Sequence, residues 1–194
     1  VLDVLYRDEL LGIPDVVTHL GAHMGEGDDA GIERLISCLD TIVEARPDMK
    51  VRLALETTAG QGSTIGYRFE HIAEVIAGVQ APDRVAVCLD TCHAWVAGYD
   101  LKSEAGFDEV WRQFADIIGI DRLCCLHLND AKREQGSRID RHEHIGEGTL
   151  GDDPFRRIMQ SEALAAVPKI VETPKAEAYH RVNVARLVEL KHSV

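Results

Sequence analysis

Apolar and β-branched residues along the chain fall into short runs separated by longer stretches of helical periodicity. The runs at 16–20, 51–56, 85–90, 123–128 and 169–172 predict strands, and a weaker, mostly polar run at 139–143 predicts a sixth. Breakers bound them: Gly12 and Pro14 before the first, Pro82-Asp83 before the third, Pro168 and Pro174 around the last. Apolar residues recur at helical spacing over 28–45, 69–79, 104–118, 154–165 and 176–191. Asp28 and Asp29 suit a helix start by capping and by complementing the helix dipole, and Pro154 suits a first turn. Strands alternating with helices predict βαβ units in a parallel sheet, and runs without strict alternation fit strands covered on both faces. No linker, low-complexity tract or second domain interrupts the pattern, so residues 1–194 read as one α/β domain, a partial (β/α) barrel.

Each strong run ends in a side chain able to hold a metal. His19 closes the first, Glu56 the second, Asp90 the third, His127 the fourth and Glu172 the last, at intervals of 37, 34, 37 and 45 residues. In a parallel barrel all these ends lie on the C-terminal face, where barrel active sites sit. Asp90-Thr-Cys-His93 adds an imidazole just past the third end, and Asp140-Arg-His142 points two donors the same way from an extended backbone. A lone histidine at a strand end is ordinarily a hydrogen-bonded core residue, and a lone aspartate before a helix is ordinarily a cap. Five such residues in register, with two local pairs, fit neither explanation. Eight donors exceed one tetrahedral site and suit two or three ions; imidazole and carboxylate without thiolate favour zinc, with manganese or iron as alternatives. His23, His71, His144, His180 and His192 lack the register. The last three read mostly as surface residues, while His23 and His144 stand close enough to ligands in sequence to support them.

Composition narrows the class. A chain of 194 residues with 45% hydrophobic and 28% charged positions can bury a substantial core, and no stretch reads as a membrane span or signal peptide. Cys38, Cys88, Cys92, Cys124 and Cys125 form no CxxC pair or even framework; Cys88 and Cys124 read as small buried hydrophobes, and the protein reads as reduced and cytoplasmic. A net charge of −12 argues against a nucleic-acid partner, unless part of the acidity is metal ligation, because bound cations reverse the local field. The loop from Lys132 to Arg141 also carries Arg133 and Arg138, a basic segment beside Asp140 and His142 suited to phosphate contact. Gly60-Gln-Gly62 has neither the Walker lysine nor GxGxxG spacing, so its glycines read as a sharp turn beneath the site.

Several stretches resemble the endonuclease IV family of apurinic/apyrimidinic (AP) endonucleases, in the xylose-isomerase-like TIM barrel superfamily. They are Leu55-Glu-Thr-Thr-Ala-Gly-Gln-Gly62, Cys88-Leu-Asp-Thr-Cys-His93 with Ala97-Gly-Tyr-Asp100, and His127-Leu-Asn-Asp-Ala-Lys132. Gly136-Ser-Arg-Ile-Asp-Arg-His142, Ile145-Gly-Glu-Gly148 and Glu172-Thr-Pro174 complete the set. The resemblance implies a (β/α)8 barrel, here lacking about the first two βα units, and up to three Zn2+, with Mn2+ or Fe the alternative at one position. It implies His19 on the first zinc, Glu56 bridging the first and second, Asp90, His127 and Glu172 completing the second, and His93, Asp140 and His142 on the third. It implies hydrolysis of the phosphodiester 5′ to abasic sites in double-stranded DNA, with Glu56 catalytic and Arg141, Lys132 and Asn129 at the substrate. No membrane is involved, and a monomer is the expectation at full length. Two features depart from the family: its His-Pro-Gly signature reads His19-Leu-Gly21, and another histidine of the first zinc would lie upstream. Three Zn2+ would set six positive charges against four ligand carboxylates, which answers the objection from net charge. Two alternatives stay open: a divalent-metal sugar isomerase or epimerase on the same barrel, and a truncated metal-binding protein without activity.

Overall fold

The strongly apolar runs form parallel strands because both of their faces can be covered. In the computed structural model, which describes residues 2–193, the strands are β1 (Asp15–His19), β2 (Arg52–Glu56), β3 (Val85–Asp90), β4 (Leu123–His127), β5 (Asp130–Ala131), β6 (His142–Glu143) and β7 (Lys169–Ile170). The helices are α1 (Leu2–Leu11), α2 (Asp28–Ala45), α3 (Phe69–Gly78), α4 (Thr91–Ala97), α5 (Glu104–Ile117), α6 (Asp152–Gln160) and α7 (Ala176–His192). Among the described residues five strands make one parallel sheet in the order β1-β2-β3-β4-β7. Burial follows that order: every residue of β3 is buried, whereas β1 at the edge is only partly covered. This is the strand–helix alternation of a (β/α) barrel, with β1 and β7 at the open edges of the arc.

The core lies between the sheet and its helices. Phe69 and Ile72 of α3 and Phe114 of α5 are fully buried, with Phe69 stacked on Tyr99 at 4.2 Å and edge-on to Phe114 at 5.4 Å. Each such side chain contributes about 1.5–3 kcal/mol. This packing fixes the helices behind the sheet and leaves its C-terminal edge to the polar residues.

The weak run at 139–143 does not join the parallel sheet, and only its last two residues form a strand, in a separate two-stranded sheet. Its polar residues have no apolar faces to bury between helices, and only His142 and Glu143 pair, antiparallel to Ala131 and Asp130. Helix α4 follows β3 without a loop and is buried from Thr91 to Val96, so it carries no amphipathic period to read. Helix α1 also lies outside the periodic stretches. Asp28 and Asp29 stand in the first turn of α2, behind Gly27 as N-cap at φ 95°, so they complement the dipole but make no side-chain cap. Helix α6 begins two residues before Pro154 and ends at Gln160.

Candidate metal centre

Four of the eight predicted ligand side chains have a simple origin. His19, Glu56, Asp90 and His127 are the last residues of β1 to β4, and register pairs His19 with Glu56 and Asp90 with His127. Glu172 lies two residues past β7, where its backbone N–H donates to Asn129 Oδ1 at 2.8 Å. His93 is on the first turn of α4, and its N–H donates at 2.8 Å to Oδ1 of Asp90, the N-cap of that helix. Asp140 and His142 arrive on the loop that returns as β6. The Asp140 N–H donates to Gln61 Oε1 at 3.3 Å, tying that loop to the Gly60–Gly62 turn. Both glycines have positive φ (72° and 61°), and a Cβ at Gly60 would lie 2.8 Å from the Tyr67 ring.

The donor atoms gather into three overlapping groups, each with its atoms within 4.8 Å of one another. They are Glu56, Asp90, His127 and Glu172; His93, Asp140 and His142; and His19, Glu56 and His93. Glu56 links the first and third groups, with Oε1 2.8 Å from His127 Nδ1 and Oε2 3.2 Å from His19 Nε2. His93 links the second and third; its Nε2 is 3.3 Å from both Asp140 Oδ2 and His142 Nε2. Glu56, Asp90, His93 and His127 are buried, whereas His19 and Glu172 are exposed and close the mouth of the site.

Electrostatics fit cations to these donors. Burial opposes ionisation of Glu56, but hydrogen bonds with His127, His19 and His93 outweigh it and hold the carboxyl far below the usual range. Burial likewise opposes protonation of His93, yet the charge of Asp90 and hydrogen bonds to Asp140 and Glu56 push its pKa up to about 11. His127 behaves similarly: burial is outweighed by hydrogen bonds with Cys125, Glu172 and Glu56, and its pKa rises to about 12. His19 is raised by its hydrogen bond to Glu56. Asp140 and Glu172 are lowered by hydrogen bonds from His93 and His127. The buried carboxylates therefore demand positive charge, which protons meet when no cation does. Mixed imidazole and carboxylate donors suit zinc, manganese or iron.

Three further residues hold the donors in place. Asn129, expected at the substrate, is fully buried: its Nδ2 donates to Asp90 Oδ2 at 2.6 Å and its Oδ1 receives the Glu172 N–H. Both ends of its amide are committed inside the protein, beneath the donors. Thr57 accepts the Asp90 N–H on Oγ1, and its carbonyl lies 2.8 Å from His93 Nδ1, which turns the other ring nitrogen toward Asp140. Thr91 Oγ1 donates to the Asn129 carbonyl at 2.7 Å. The signal lay in their adjacency to ligands, which only the fold turns into contacts.

Arg141 and Lys132 are exposed, Lys132 Nζ 3.7 Å from Glu143. Arg138 is taken up by the Tyr67 ring, 4.6 Å from its centroid. His23 accepts the N–H groups of Gly25 and Gly27 on Nδ1, and His144 is buried and stacked on Tyr179, so neither touches a ligand. His180 is half-buried and His192 exposed.

Residues 3–190 match the family described as xylose isomerase-like TIM barrel. A Geobacter sulfurreducens protein named "Probable endonuclease 4" is 48% identical over 177 residues, covering 89% of this chain and 60% of that protein. The crystal structure of endonuclease IV from Thermus thermophilus superposes with a TM-score of 0.78 at 32% identity, over 97% of this chain and 66% of that one. The chain belongs to the endonuclease IV family of xylose isomerase-like TIM barrels. It spans about 60% of the length of that Geobacter relative. A D-tagatose 3-epimerase-like protein superposes at a TM-score of 0.72 with 20% identity, a likeness of fold alone. The chain carries an acidic or imidazole donor at the end of each of β1 to β4.

Proposed function

We propose that this chain carries the hydrolytic centre of a zinc-dependent DNA repair endonuclease that cleaves the phosphodiester 5′ to abasic sites in double-stranded DNA. The observation that carries the reading is the three-group donor cluster joined through Glu56 and His93. A sugar isomerase on this barrel needs one or two ions, and the third group, His93, Asp140 and His142, exceeds that need. It is also built from a loop bearing exposed Arg141 and Lys132, which suits a polyanion better than a ketose.

In this reading Glu56, Asp90, His127 and Glu172 would hold one ion, His93, Asp140 and His142 another, and His19 and Glu56 would contribute to the remaining one. Bound zinc supplies Lewis acidity toward phosphoryl oxygen and brings the pKa of water to about 7. Glu56, held ionised by its imidazole partners and common to two of these donor groups, would accept a hydrogen bond that orients the attacking water. Arg141 and Lys132 hold the flanking phosphates. Thr57, Thr91 and Asn129 keep His93, Asp90 and the backbone of Glu172 from shifting as charge moves through the site. Attack at phosphorus breaks the bond to the 3′-oxygen, leaving a 3′-hydroxyl and a 5′-deoxyribose phosphate. An abasic nucleotide has no stacked base to lose when it swings out of the duplex, which provides selectivity without base readout.

The test is to incubate the chain with an abasic-site duplex with and without chelator, measuring bound metal in parallel. Incision that chelation abolishes is the expected result. Bound metal with ketose turnover and no incision would assign the isomerase reading, and bound metal with neither activity the inactive one.

A further inference from the structure

The inward face of the sheet holds a second set of donors one layer below the centre. Side chains two residues apart on a strand share a face, so Cys88 lies beneath Asp90 on β3 and Cys125 beneath His127 on β4. Register pairs Cys88 directly with Cys125 across the two strands. Both thiols are free and buried, Cys88 at 0% and Cys125 at 6% exposure. Their sulfur atoms and a ring nitrogen of His127 lie within 4.8 Å of one another. A cysteine serving only as a small core hydrophobe needs no such convergence. The pair is invisible in the linear sequence because 37 residues separate its members and no CxxC spacing marks it.

We propose that Cys88, Cys125 and His127 form a buried seat for a soft divalent cation, one that shares His127 with the imidazole–carboxylate groups above it. Two sulfurs and one imidazole are the donor types that favour thiophilic ions such as Cd2+ or Zn2+ over Mn2+ or Mg2+. On binding, the two thiol protons and one proton of the His127 imidazolium leave to solvent, and two metal–sulfur bonds and one metal–nitrogen bond form. The two thiolates then cancel the ion's two charges, so the seat is neutral as a whole and tolerates its buried position. His127 also belongs to the group with Glu56, Asp90 and Glu172, so the seat and that group have a residue in common. The seat stands whether or not the centre above it cleaves DNA.

The test uses Cd2+ alone, added to the full chain freed of metal and kept reduced. The expected results are a thiolate-to-cadmium charge-transfer band in the ultraviolet and two sulfur neighbours by X-ray absorption at the cadmium edge. The band should disappear in Cys88→Ser and in Cys125→Ser, and persist in Cys38→Ser and Cys124→Ser. A metal shell of nitrogen and oxygen only overturns the proposal, as does a band that survives either of the first two substitutions or is lost with Cys38 or Cys124. The sulfur count is read on the unsubstituted protein, so it decides the matter even where a buried serine prevents folding.

Discussion

At the scale of single residues, Glu56 is the hinge of the account. It is buried, held ionised by three imidazoles, and common to two donor groups. Glu56→Gln keeps the shape but replaces an acceptor with an amide N–H facing histidines, and it should abolish incision of an abasic duplex; turnover like that of the unsubstituted chain would contradict its role. Asn129→Ala should weaken metal binding by about 10- to 100-fold while leaving all eight donors in place, because Asp90 and Glu172 lose a shared partner. Calorimetric titration with Zn2+ measures it. The same titration tests the protonation argument. With pKa values raised to about 11 and 12, His93 and His127 carry protons at neutral pH in the absence of metal, and a cation must displace them. Zinc affinity should therefore rise with pH across the neutral range, with proton release seen as a dependence of the heat on buffer ionisation enthalpy. The eight donors were legible in the sequence because each stands at a strand end or in a local pair. The supporting roles of Asn129, Thr57 and Thr91 were not, since an amide or hydroxyl beside a ligand gains its meaning only from a partner more than 30 residues away.

At the scale of elements, the segment from His144 to Gly151 is organised around a single buried charge. Asp130 accepts five backbone N–H groups: those of Ala131 and Leu150 on one oxygen, and those of Gly146, Gly148 and Gly151 on the other, at 2.7 to 3.2 Å. A Cβ on Gly148 would fall 2.4 Å from Asp130, which explains the glycine there. Asp130→Asn turns an N–H group toward those donors and should cost about 2–3 kcal/mol of folding stability, measured by denaturant unfolding. Gly60→Ala should also destabilise, by about 1 kcal/mol or more, since a Cβ there meets both an unfavourable φ and the Tyr67 ring. The long periodic helices and the apolar strands were readable because their faces repeat. Helix α4 was not, because burial on every side removes the period, and the run at 139–143 misled because alternation in a polar segment describes an extended backbone without a place in the parallel sheet.

At the scale of the whole molecule, a five-stranded arc gathers chemistry from loops far apart in sequence onto one edge, and the outer helices carry much of the remaining acidity. The βα repeat was legible from the spacing of ligand types alone, because one unit advances the chain by 34 to 45 residues between strand ends. What spacing could not show was which donors share an ion, since that depends on strand register and on the loop return that brings Asp140 and His142 beside His93. The same register places Cys88 against Cys125 beneath the centre. Among the described residues no helix is long and apolar enough to cross a membrane. The measurement that bears most directly on the account is end-group analysis of an abasic-site duplex after incubation with the zinc-loaded chain. The account predicts a 3′-hydroxyl and a 5′-deoxyribose phosphate, with no incision once a chelator is present. An intact duplex in the presence of bound zinc, or cleavage on the 3′ side of the abasic sugar that survives chelation, would contradict it.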